Sequence, residues 1–143
     1  MFASIADHPV LVVDDEAFSR AVVAKTLKGL GFSNILQADD GAKAMSMLAD
    51  PRDPAIAFAI VDFNMPNMNG LQLLKAVRTG VAKIDRATPI IMLTGNADRD
   101  VVGFAIQLDV NAFVVKPGSK STIQNRLDRI FAGKRAVKPS AHY

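Results

Sequence analysis

The chain has 143 residues, half of them hydrophobic, enough to bury one sizeable core, and a single domain is the expectation. It contains no cysteine, which excludes disulfides, thiolate metal sites and a cysteine nucleophile, and suits a reducing compartment. The formal charge of +3 traces to Lys134, Arg135 and Lys138 in the tail 132–143; residues 1–131 carry 14 charges of each sign, so the folded part offers no charge argument for nucleic acid.

The amino terminus, "MFASIADHPV", lacks a basic segment followed by a long apolar run, and no later window approaches the roughly 18 apolar residues of a membrane span, which reads as a soluble cytoplasmic protein. The first β-type run, "PVLVVDD", ends in Asp14 and Asp15, and residues 17–29 follow as a helix closed by Gly29 and Gly31. "NILQADD" is more mixed and suits an edge strand, with a short helix over 41–49. "FAIVDF" ends near Asp62; Met65, Pro66 and the Asn69-Gly70 pair then turn the chain tightly into a helix over 70–79, stopped by Gly80. "PIIMLTG" ends in Thr94 and precedes a helix over about 98–109. "NAFVVKP" ends in Lys116 and precedes a last helix over about 120–131. Beyond it, "GKRAVKPSAHY" is rich in polar and breaker residues and reads as a disordered tail.

Strands alternating with helices imply an α/β fold: a parallel sheet with crossover helices on both faces. The first, third and fourth runs are almost continuously apolar, as central strands covered on both faces should be. In such a sheet all the carboxyl ends point to one edge, where ligands bind. Asp14, Asp15, Asp62, Thr94 and Lys116, far apart in sequence, therefore converge.

Three carboxylates brought together repel unless a cation sits among them. Oxygen ligands from Asp14, Asp15 and Asp62, with no histidine or cysteine near, favour a hard ion such as Mg²⁺, and the backbone carbonyl of Asn64 could add a ligand. Lys116 adds a compact positive charge and Thr94 a hydroxyl donor. Metal, ammonium and hydroxyl around one carboxylate describe a site that binds a phosphoryl group, with Asp62 as nucleophile. Singly, each signal has a bland reading: Asp-Asp after a strand as a helix cap, Lys-Pro as turn chemistry, Thr94 as a solvated hydroxyl. Their order at the ends of strands one, three, four and five carries the argument.

On "VLVVDDE", "AIVDFNMPNMNGLQLLKAVR", "PIIMLTG" and "NAFVVKP", spanning residues 10–117, the sequence resembles a response-regulator receiver domain of two-component signalling, and the Asp62 motif is similar to single-domain chemotaxis receivers. The resemblance implies five parallel strands in the flavodoxin-like order 2-1-3-4-5, a receiver domain over 1–131 and output through a protein contact on the 98–131 face. It implies that Asp62 accepts a phosphoryl group from a phosphohistidine on a histidine kinase or histidine phosphotransfer protein. By the same resemblance Asp15 binds Mg²⁺ directly, Asp14 through water, and Asn64 by its carbonyl. Thr94 and Lys116 contact the phosphoryl oxygens, and the Lys116-Pro117 peptide is cis. Thr94 and Phe113 form the switch pair, while Asn64 and Asn96 tune hydrolysis of the acyl phosphate.

Three positions depart from the commonest pattern. Phe113 lacks a tyrosine hydroxyl, Gly95 replaces a frequent alanine, and Gly118 stands where an aromatic often follows Lys-Pro, which loosens the start of the last loop. The competing readings are a receiver-like interaction module regulated without phosphorylation and a Mg²⁺-dependent phosphatase acting through an aspartyl phosphate. The latter wants a carboxylic acid two residues after the nucleophile, where Asn64 stands. Dinucleotide or flavin binding is disfavoured because no glycine-rich loop follows the first strand.

Overall fold

The structure, a computed structural model, describes residues 2–95 and 99–132. Strands β1 (Val10–Val13), β2 (Ile35–Ala38), β3 (Ala59–Asp62), β4 (Ile90–Thr94) and β5 (Ala112–Val115) alternate with helices α1 (Ala17–Gly29), α2 (Gly41–Ala49), α3 (Gly70–Arg78), α4 (Arg99–Gln107) and α5 (Lys120–Ile130). All the pairings are parallel and the sheet order is β2-β1-β3-β4-β5, the flavodoxin-like arrangement that the family resemblance implied. The three continuously apolar runs are the three interior strands and are buried at every position, while the mixed second run lies on an edge.

Alternation along each strand divides the apolar side chains between two layers. Leu11, Val13, Ala59, Val61, Ile90 and Met92 join Leu73, Leu74 and Val77 of α3 and Ala105 of α4 on one face. Val10, Val12, Ile60, Ile91 and Leu93 join Val23 and Leu27 of α1 and Ile123 and Leu127 of α5 on the other. Each fully buried leucine or isoleucine contributes about 1.5–3 kcal/mol.

Local chemistry sets the helix starts. Asp40 accepts from the Lys43 N–H at 2.7 Å, and Ser119 from that of Thr122 at 3.2 Å. Asn69 and Gln72 form a reciprocal capping box at 2.8 and 2.9 Å, which fixes where the loop after β3 becomes α3. Asparagine to alanine at such a cap costs about 1 kcal/mol.

The fourth helix stops earlier than its hydrophobic pattern predicts. Asp109 turns to φ +54°, and the Val110 N–H closes back onto the Ala105 carbonyl at 3.0 Å. Gly118 is not loose: a Cβ there would meet Val114 at 2.8 Å and Ile123 at 3.3 Å, so the residue is a glycine because the loop packs closely. Asn96 and the tail from residue 133 lie outside the described residues.

Candidate functional site

Each acidic residue of the site is set by the end of its strand. Asp14 directly follows β1; its N–H donates to the Ala38 carbonyl at 3.1 Å, and its carboxylate accepts from the Glu16 N–H at 2.9 Å, turning the chain toward α1. Arg20, one turn into that helix, donates to the Asp14 carbonyl at 2.7 Å. Asp15 is exposed, whereas Asp14 and Asp62 are 1% and 3% exposed. Carboxylate oxygens of Asp14, Asp15 and Asp62 all lie within 4.8 Å of one another.

Asp62 is the last residue of β3 and pairs in register with Leu93, the residue before Thr94. The chain leaves it in a tight loop: the Asn64 N–H lies 3.4 Å from an Asp62 carboxylate oxygen, Asn67 takes φ +68°, and the Gly70 N–H returns to the Phe63 carbonyl at 2.9 Å. Gly70 permits this return. A Cβ on it would stand 2.7 Å from the Met92 sulfur and 2.9 Å from both the Asp62 carbonyl and the Phe63 Cα, so α3 starts hard against the acidic strand end.

The ammonium of Lys116 reaches in from the end of β5, 3.2 Å from Asp62 and 3.5 Å from Asp14. Burial alone would lower its pKa, but the Asp62 and Asp14 carboxylates outweigh that and hold it above the ordinary lysine value. Burial, then repulsion from Asp14, pushes Asp62 up to about 6, against the pull of Lys116 and the Asn64 N–H. One buried oxygen of Asp14 accepts no hydrogen bond and has only the long contact to Lys116. An all-oxygen set with a surplus of negative charge and an under-coordinated carboxylate oxygen fits a hard divalent cation.

Thr94 ends β4, 2% exposed, and its carbonyl accepts from the Lys116 N–H at 2.7 Å, which ties the ends of β4 and β5 together. Phe113 pairs with Met92 one register step below Leu93 and packs, partly buried, against the layer that holds α3 and α4; its carbonyl accepts from Arg126 of α5 at 3.1 Å. The Lys116–Pro117 peptide is cis. The fold thus brings Asp14, Asp15, Asp62 and Lys116 into one cluster, with Thr94 on the adjacent strand end and Asn64 in the loop between.

Arg20 escapes the sequence reading, because in sequence it looks like an ordinary solvated helix residue. The Asn69-Gly70 step signals a turn, but not that backbone passes within contact of the acidic strand end at Gly70.

A profile of the response regulator receiver domain matches residues 10–128. Chemotaxis protein CheY-3 of Vibrio cholerae is 38% identical over 122 residues, 85% of this chain and 90% of that protein. Chemotaxis protein CheY of Pseudomonas aeruginosa is 37% identical over 122 residues, 85% of this chain and 94% of that protein. Among solved structures, chemotaxis protein CheY4 of Vibrio cholerae superposes with a TM-score of 0.76 at 31% identity, covering 88% of this chain and all of that one. A response regulator receiver protein from Pseudomonas putida gives 0.76 at 27% identity, covering 87% and 98%.

Proposed function

This chain belongs to the response regulator receiver family, and from that premise we propose that it is a signalling switch whose phosphoacceptor is Asp62. The observation that carries the reading is the buried Asp62 carboxylate at a strand end, 3.2 Å from an ammonium and within 4.8 Å of two further carboxylates.

In the reaction a carboxylate oxygen of Asp62 attacks the phosphorus of a phosphohistidine on a histidine kinase or histidine phosphotransfer protein. The new O–P bond forms as the P–N bond breaks, and the departing imidazole keeps the electron pair and takes a proton from solvent. Asp62 must be ionised to attack, and its pKa of about 6 leaves it so at neutral pH. Asp14, Asp15, Asp62 and the Asn64 carbonyl would hold Mg²⁺, which when bound supplies positive charge against the phosphoryl oxygens. Lys116 leaves the carboxylate for the phosphoryl oxygens, and the Thr94 hydroxyl donates to them. Hydrolysis of the acyl phosphate resets the switch, at a rate tuned by Asn64 and Asn96.

Thr94 and Phe113 form the two-state element: as Thr94 turns to the phosphoryl group, the aromatic ring turns inward and alters the face built from residues 98–131. Phe104, Ile106 and Val115 are large, apolar and exposed within that stretch, which supports protein docking there. Phe18, 76% exposed in the first turn of α1 and three residues after Asp15, supports docking of the phosphohistidine donor on that side of the site. A cytoplasmic location completes the reading; no helix among the described residues is long and apolar enough to cross a membrane.

Intact mass after incubation with acetyl phosphate and Mg²⁺ tests the reading. The parent gains one acid-stable, hydroxylamine-labile phosphoryl group and Asp62→Asn gains none. No gain from either acetyl phosphate or a phosphohistidine donor, with the chain folded, would overturn it in favour of an interaction module regulated without phosphorylation.

A further inference from the structure

The C-terminal end of α4 is closed by a cation from a different helix. Arg78, the last residue of α3, is wholly buried. Its Nε donates to the carbonyls of Leu108 at 3.1 Å and Asp109 at 3.3 Å. Its Nη2 donates to the Asp109 carbonyl at 2.9 Å and to Oδ1 of Asn111 at 2.8 Å, and its Nη1 to the carbonyls of Arg86 at 2.8 Å and Thr88 at 2.7 Å. These acceptors are all neutral oxygens. A buried guanidinium is costly, and a leucine would fill the space without that cost. What offsets it is this set of hydrogen bonds, the attraction of the Asp109 and Asp85 carboxylates, and the negative end of the dipole of α4, a helix that ends one residue before Leu108.

The same knot holds the beginnings of two strands. Asn111 Oδ1 also accepts from the Ile90 N–H at 2.8 Å, and the Asn111 N–H donates to the Ile90 carbonyl at 2.9 Å. Arg86 returns a bond from its Nε to the Arg78 carbonyl at 2.6 Å. The end of α3, the run into β4 and the turn from α4 to β5 are therefore one body. Thr94 lies at the opposite end of β4, roughly 13 Å away at strand rise. Between Thr94 and the knot runs α4, with its first turn nearest the site in sequence and its C-terminal end held to Arg78 through the two residues that follow it, Leu108 and Asp109.

We propose that Arg78 is a positioning residue that makes α4 a lever pivoting at residues 108–111. The proposal rests on the phosphorylation switch proposed above and adds where its motion is anchored. When the phosphoryl group draws Thr94, displacement is largest at residues 99–103 and falls to nothing at the knot. The start of β5 stays fixed, so that the Phe113 ring turns on an immobile backbone.

Amide hydrogen exchange on the full chain tests this, with parent, Arg78→Lys and the milder Asn111→Ala, each before and after treatment with acetyl phosphate and Mg²⁺. Intact mass is read first: a parent that takes no phosphoryl group overturns the reading of the site itself. With the group attached, the parent should change exchange several-fold at 99–103 and less than about twofold at 108–111. Both variants should still take the phosphoryl group on Asp62. Their residues 108–111 should exchange at least about tenfold faster before treatment, and the response at 99–103 should shrink at least about threefold. A merely structural loss would speed exchange throughout without separating the two segments. A parent whose residues 108–111 respond as strongly as 99–103, or a folded variant with the parent's pattern, would overturn the lever alone.

Discussion

The Lys116 ammonium stands 3.2 Å from Asp62 and 3.5 Å from Asp14, so one cation just past β5 is shared between two buried carboxylates at the ends of β1 and β3 and offsets only part of their charge. Removing it leaves both acids facing each other. Lys116→Met should lower stability at pH 7.5 by about 1–2 kcal/mol without metal, a figure discounted for the solvent around a partly exposed ammonium. Adding Asp62→Asn to that variant should recover most of the loss. Urea midpoints of the two single variants and the double variant measure the coupling; simple additivity would show that the pair does not interact.

Asp62 gives the second prediction, and its sign follows from the direction of its shift. The folded chain binds this proton more tightly than the unfolded chain, since the pKa rises from 3.8 to about 6. Stability contributed by that proton is present below pH 3.8 and lost as pH rises to about 6. Asp62→Asn removes the loss, so in chelator at pH 7 it should be more stable than the parent by about 1–2 kcal/mol. Mg²⁺ should narrow the gap by stabilising the parent. Thermal melts over pH 4–8 check both statements, and a parent whose stability rose through pH 4–6 relative to the variant would contradict the assignment.

At Gly70 the obstacle to any side chain is backbone as well as a flexible thioether, because the Asp62 carbonyl and Phe63 Cα would both lie 2.9 Å from a Cβ. Gly70→Ala should therefore cost about 1–3 kcal/mol and push the loop after β3 away from the acids. Phosphoryl uptake from acetyl phosphate should slow at least about tenfold, an effect of misplaced reacting groups. Rapid-quench kinetics at a temperature where the variant is folded separates this from instability.

Phe18 should matter to one donor and not the other. Phe18→Asp places a charge where an apolar ring now meets solvent, so transfer from a phosphohistidine protein should fall roughly tenfold. Uptake from acetyl phosphate should stay within about twofold, since that donor needs no docking face. Equal slowing with both donors would remove Phe18 from the docking surface.

How much of this is legible in the sequence depends on whether a residue's partners are local. The apolar runs of β1, β3 and β4 announce buried strands, and the acids and lysine at strand ends announce the cluster, because a parallel sheet places every carboxyl end at one edge. The early stop of α4 is hidden: its apolar pattern runs on through Leu108, while the closure depends on Asp109 adopting a left-handed conformation. Arg78 is hidden more deeply. A basic residue in the last turn of a helix is ordinary, and its acceptors lie 8 to 33 residues further along the chain. Gly118 misleads for the converse reason: sequence reveals conformational freedom in a glycine but not the Val114 methyl that leaves no room beside it.

The two-layer division of the strands has an evolutionary consequence. Val12 and Val13 are neighbours in sequence, yet one packs with α1 and α5 and the other with α2, α3 and α4. Changes on opposite sides of a sheet share few partners, so their effects on stability should add. A lineage can thus retailor the layer of α1 and α5 while preserving that of α2, α3 and α4, and change one face of the molecule without disturbing the other.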